Sequence, residues 1–220
     1  MKNGRLVALV PVRSGSQRVK NKNIRDFANS NLLSIKIETL KRVLPPEDII
    51  VSSDCEKMLN IARILGVTAV KREEYYASSE CNNSEFFKHI AEVTDCEYIM
   101  YSPVTSPLVS RETYVSCINK FMNSNIDNLV TVSEVKHHLW LYGKPLNYDP
   151  KNSPNSQDLP DIYSLNYGIC LTSRENMIKY RNIVTENPTF HVLNEIESID
   201  IDTEFDFMVA EIVYNKIKKV

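Results

Sequence analysis

Two groups of side chains at opposite ends of the chain have the types and spacing to do chemistry together. The first is residues 13–23, Arg-Ser-Gly-Ser-Gln-Arg-Val-Lys-Asn-Lys-Asn, with four cations, two serines, one glycine and no acid. Such a loop offers backbone N–H groups, hydroxyls and cations to one anion. Arginine grips phosphate oxygens two at a time, and lysine acts as a compact point charge. On composition alone, such a basic run is usually a solvated turn. Its place directly after the apolar run Leu6–Pro11 favours a triphosphate, because α/β sheets bind ligands at the carboxyl ends of their strands. A single glycine excludes both the Walker loop and the dinucleotide G-x-G-x-x-G turn.

The second group is Asp200 and Asp202, which flank Ile201 in Ser-Ile-Asp-Ile-Asp-Thr-Glu-Phe-Asp, residues 198–206. Alternate residues of an extended segment share a face. Two neighbouring carboxylates repel unless a cation lies between them. Magnesium suits such a pair, since it takes one or two carboxylates together with substrate phosphates. Asp202 by itself would read as the cap of the last helix, with Glu204 and Asp206 at its positive end. The pair, in a chain that also has a phosphate loop, points to a metal.

The elements that must position these groups follow from hydrophobic spacing. Short apolar strands are expected at Leu6–Pro11, 48–53, 67–70, 97–102, 129–132, 167–172 and up to Asp200. Amphipathic helices are expected at 32–43, after a cap at Asp54, at 84–93, 111–122, Arg174–Tyr180 and from Thr203. This alternation predicts an α/β chain with a mostly parallel sheet covered on both faces. Right-handed crossovers make it a doubly wound, three-layer α/β/α sandwich. The pattern breaks over 137–165, rich in aromatics and prolines, which reads as an arm or long loop on a single domain spanning 1–220. Trp140, Leu141 and Tyr142 are its candidate anchors for a second copy.

Composition excludes several classes. A net charge of -2 gives no reason to expect nucleic acid or an anionic membrane. No apolar run approaches the roughly 18 residues of a membrane span. Five widely spaced cysteines without C-x-x-C fit reduced thiols in the cytoplasm better than disulfides or zinc. Cysteines inside expected helices and strands also argue against a thiol enzyme.

Taken together, the motifs resemble those of the acylneuraminate cytidylyltransferases, the CMP-sialic acid synthetases and their relatives. The resemblance rests on residues 10–24, on Ile-Val-Ser-Ser-Asp at 50–54, on Thr-Ser-Pro at 105–107, on Gln157 to Pro160 with Asn166, and on residues 198–206. It implies a Rossmann-like fold, a homodimer with an arm over the partner's site, CTP as co-substrate, and Mg2+. It places Arg13, Ser14, Gly15, Ser16, Arg18 and Lys22 on the phosphates and Asn23 near the ribose. Arg72, Cys81 and Asn83 fall beside the cytosine, Thr105, Ser106, Gln157 and Asn166 on the acceptor sugar, and Asp200 and Asp202 on the metal. Arg13, Lys22 and Asp202 are then the catalytic set. The implied reaction moves CMP from CTP to an acidic ketosugar and releases pyrophosphate.

Departures concentrate on the acceptor half. Gln17 stands where the family usually has lysine, Pro103 where it often has Gln or Asn, Ser156 and Ser164 where it often has arginines, and Cys170 near an expected aromatic. A different acceptor, such as 3-deoxy-octulosonic acid or a phosphonate, therefore stays open, as does a non-catalytic nucleotide-binding protein. His137 and His138 lie near the arm with no assigned role.

Overall fold

The computed structural model describes residues 2–218. Its frame is a seven-stranded sheet. Four strands, β1 (Leu6–Pro11), β2 (Ile49–Ser53), β3 (Thr68–Lys71) and β4 (Tyr98–Tyr101), run parallel in the order β3-β2-β1-β4. The sheet continues through β8 (Ile162–Ser173), β5 (Asn128–Val135) and β9 (Thr189–Val192). β8 is antiparallel to both β4 and β5, and β9 is again parallel to β5.

Each face of the sheet has its own apolar cluster, so β1 must be apolar throughout. Leu6, Ala8 and Val10 belong to one cluster and Val7 and Leu9 to the other. The first face is covered by α1 (Leu32–Leu40), α2 (Glu56–Ile64), α4 (Arg111–Asn123) and α6 (Glu204–Ile217). The second is covered by α3 (Asn83–Glu92) and α5 (Arg174–Tyr180). Caps stop the helices where short polar residues offer an acceptor. Asn31 accepts from Ser34 N at 2.8 Å, and Asn82 with Glu85 and Thr203 with Asp206 form reciprocal capping boxes.

Several expected elements differ. Helix α1 ends at Leu40, and residues 41–43 continue as a tighter turn in which Val43 N donates to Leu40 O at 2.8 Å. Asp54 does not cap α2. Cys55 holds that position without a side-chain bond, because Asp54 is turned toward the phosphate loop. No strand ends at Asp200. Residues 195–198 are a turn, and 199–202 have no ladder partner. The arm is more ordered than a loop. β6 (Trp140–Leu141) and β7 (Lys144–Pro145) form a hairpin whose two turn residues, Tyr142 and Gly143, both have positive φ. Single 3-10 turns follow at Pro150–Asn152 and Ser156–Asp158. β8 then starts at Ile162, five residues before the strand expected from residue 167.

Candidate active site

The loop after β1 is held by one of its own side chains and by one from outside it. Asp54 accepts from Ser14 N at 2.9 Å and also from the Ser14 hydroxyl. Asn23 Nδ2 donates to Arg13 O at 3.0 Å. Gly15 and Asn21 take left-handed backbone, with φ of 73° and 53°. Ser14 and Gly15 face a shallow outer depression, whereas Arg13, Ser16, Arg18, Lys22 and Asn23 line the main cleft.

The C-terminal aspartates come to this loop. Ile201 is fully buried and its N–H donates to Thr105 O at 2.9 Å. Its two neighbours are only partly buried. Arg18 Nη2 lies 2.6 Å from Asp202 Oδ1, and Lys22 Nζ donates to Ile201 O at 2.6 Å. Asp206 fixes the Asp202 backbone by accepting from the N–H groups of Asp202 (3.1 Å) and Thr203 (2.7 Å). Residues 179 and 184 positions apart thus touch, although no ladder holds the acidic segment and neither aspartate is among the residues lining the main cleft.

Asp200 has the most unusual environment. Burial pushes its carboxyl above the usual range, the Thr105 hydroxyl opposes this, and nearby Asp202 adds to it. Its Oδ1 is buried with no hydrogen-bond partner. Burial likewise lowers the Lys22 ammonium, against the attraction of Asp202 and Asp200. Among the described residues, no group of three or more His, Cys, Asp or Glu is arranged as a metal cage. An orphaned carboxylate oxygen beside a second carboxylate fits the sparser demand of magnesium, which keeps water and phosphate ligands.

The cleft extends over about 540 Å³ toward α3. Arg72 forms its floor, 4% exposed, with Nη2 donating to Val12 O and its guanidinium 5.1 Å from the Phe86 ring centroid. Its Nε is buried and unpaired, a donor awaiting an acceptor. Cys81 and Asn83 line the same end. Burial raises the Cys81 thiol, so it is a wall rather than a nucleophile. Tyr76, Ser78, Ser79, Phe86 and Tyr101 also line the cleft and were not foreseen. Phe86 sits in the first turn of α3, where position relative to the cap could have flagged it; the others carry no periodic signal.

The acceptor residues divide. Thr105, Gln17 and Pro103 line the cleft. Ser106 is buried behind it. Gln157 is exposed in a 3-10 turn of the arm, away from the cleft lining. Asn166 spends its amide internally: Oδ1 accepts from Thr131 Oγ1 (2.7 Å) and Gly168 N (3.2 Å), and Nδ2 donates to Ser133 Oγ (3.0 Å). This braces the irregularity where β8 shifts register against β5 and Tyr167 takes a φ of 54°. Cys170 is buried in the second core cluster and cannot stand in for a sugar-facing aromatic. His138 Nε2 is 3.1 Å from Pro154 O, bracing the arm.

A sheet that ends in a cationic loop, a cleft reaching to Arg72 and a nearby carboxylate pair is the frame of a nucleotidyltransferase. The chain belongs to the cytidylyltransferase family, whose model, described as Cytidylyltransferase, matches residues 7–146. It is 24% identical to the post-translational flagellin modification protein B of Campylobacter coli, over 94% of this chain and 93% of that protein. It is 24% identical to the N-acylneuraminate cytidylyltransferase of Streptococcus agalactiae, over 92% of this chain, and spans about half (51%) of that relative's length. A solved CMP:2-keto-3-deoxy-manno-octonic acid synthetase complexed with CTP superposes with a TM-score of 0.73 at 10% identity, covering 97% of this chain and 99% of that one. At that identity the likeness concerns the fold.

Proposed function

We propose that this enzyme transfers CMP from CTP to an acidic ketosugar of the sialic acid type, with release of pyrophosphate and with Mg2+ at Asp200 and Asp202. The observation that carries the reading is the meeting of the cationic loop with two aspartates, one of which keeps a buried, unpartnered oxygen. Magnesium, when bound, would neutralise phosphate charge and lower the pKa of the acceptor hydroxyl. The chain's own part is to place and stabilise. Arg72 offers its free Nε to the cytosine end. Asn23 lies by the ribose. Arg13, Ser16, Arg18 and Lys22 take the phosphates. The acceptor oxygen attacks the α-phosphorus as the bond to pyrophosphate breaks, and Arg13 and Lys22 offset charge on the departing group.

The exposed hairpin with Trp140, Leu141 and Tyr142 supports a homodimer built on the arm. No helix among the described residues is long and apolar enough to cross a membrane, and all five cysteines are unpaired, which supports a cytoplasmic setting. A second reading keeps the chemistry and changes the acceptor to 3-deoxy-octulosonic acid or a phosphonate. It is favoured by Pro103 in the cleft and by the absence of Gln157 and Asn166 from its lining.

The test is pyrophosphate release from CTP and Mg2+ with a panel of sialic, legionaminic, pseudaminic and 3-deoxy-octulosonic acids and a phosphonate. Release with a nonulosonic acid is expected. Release with only the last two supports the second reading, and silence with every acceptor defeats both.

A further inference from the structure

A buried lysine that this chemistry does not use lies behind the Thr105–Ser106 segment at the cleft wall. Lys36 sits in the middle of α1, 2% exposed among apolar neighbours. Its ammonium donates to the Ser106 carbonyl at 2.9 Å and to the Tyr114 hydroxyl at 2.6 Å. The Tyr114 and Ser102 hydroxyls share a hydrogen bond of 2.6 Å. Among the described residues, no carboxylate forms an ion pair with Lys36.

Packing does not explain this residue. A buried ammonium loses its hydration, and a methionine of similar length would fill the space without that penalty. Burial indeed pushes the Lys36 amine down to about 7, against the pull of Asp200. What Lys36 holds is the segment between itself and the aspartates. Ser106, whose carbonyl it grips, follows Thr105. Thr105 accepts from Ile201 N at 2.9 Å through its carbonyl, and Ile201 stands between the two aspartates.

We propose that Lys36 is a positioning residue for the metal end of the site. By pinning the Ser106 carbonyl it fixes Thr105, and through Thr105 the direction in which Asp200 presents its free oxygen. This inference rests on the proposed metal role of Asp200. The arrangement is that of an outer residue holding the backbone segment that carries the ligands, and loss of outer support of this kind typically weakens metal binding by about 10- to 100-fold.

The experiment uses Lys36→Met and Lys36→Gln in the full chain, checked for folding by circular dichroism and thermal melting. Mn2+ is the probe, titrated in the presence of CTP and read by electron paramagnetic resonance of the free ion. Binding of CMP without metal is the control. Lys36→Met is expected to weaken Mn2+ binding roughly tenfold and to leave CMP binding unchanged. Lys36→Gln, whose amide can still donate to the Ser106 carbonyl, should recover most of the loss. Parent-like Mn2+ binding by folded Lys36→Met overturns the inference, as does a Gln variant no better than Met. If only the Gln variant folds, parent-like affinity supports the hydrogen-bond route and a tenfold loss overturns it. A parent chain that binds no Mn2+ with CTP instead defeats the metal assignment itself, and this inference with it.

Discussion

Replacing Asp200 by Asn should make the ligand-free protein harder to melt and nearly inactive. Asp200 Oδ1 is buried without a partner, and Asp202 adds like charge. An unsatisfied buried polar atom costs roughly 1–3 kcal/mol, more when charged. Asn keeps the volume and the polarity but removes the charge, so we take the low end, about 1 kcal/mol. In a chain of this size that raises Tm by roughly 2–4 °C. On the proposed function, the same oxygen is needed once metal and nucleotide arrive. The parent at a hundredfold excess of Mg2+–CTP over Kd should gain about 2.7 kcal/mol, and the variant should lose most of that increment. Turnover should fall at least about a hundredfold, equivalent to roughly 3 kcal/mol of transition-state stabilisation. Differential scanning fluorimetry with and without Mg2+ and CTP, beside a pyrophosphate assay, reads all of these. An Asn variant that melts at or below the parent without ligand refutes the account of the buried charge. One that keeps both the ligand increment and the turnover refutes the metal site.

Two further outcomes follow from the same geometry. Lys22→Met should lower kcat about a hundredfold with a smaller change in KM for CTP, since its ammonium is expected to act on the leaving phosphates; steady-state kinetics that show only a KM change would remove it from the catalytic set. Tyr142 is 95% exposed at the hairpin tip, and Tyr142→Asp should convert a dimer to a monomer in light scattering at micromolar concentration; a parent chain that is already monomeric ends the arm's assignment.

The parallel core was readable because buried strands must be apolar on both faces, as β1 shows by dividing its side chains between two clusters. Direction was not readable. Nothing in the spacing of residues 162–173 tells that β8 runs against its neighbours, since alternation is the same either way. Alternation puts the acidic segment on a strand, yet what holds it is the buried Ile201 and its bond to the Thr105 carbonyl, without a ladder. Asp54 looked like a cap because it precedes a helix, and only the third dimension shows that the Ser14 amide competes for it. Gln157 and Asn166 were carried by motif order, and the register irregularity of β8 decides where an asparagine at that point spends its amide. Lys36 had a signal that charge type obscured. It falls three residues after Leu33 and four before Leu40, within the buried stripe of α1.

The cations of the cleft are already engaged. Arg13 Nη1 donates to the carbonyls of Ala77 (2.9 Å) and Ser78 (3.1 Å), Arg18 holds Asp202, and Lys22 holds the Ile201 carbonyl. Filling the cleft is therefore an exchange of partners rather than the neutralisation of bare charge. A stray sulfate or orthophosphate would have to displace these acceptors while offering Asp202 nothing in return. On the proposed function, a polyphosphate that arrives with its own divalent ion satisfies both sides together, and small bystander anions are expected to be poor competitors of CTP.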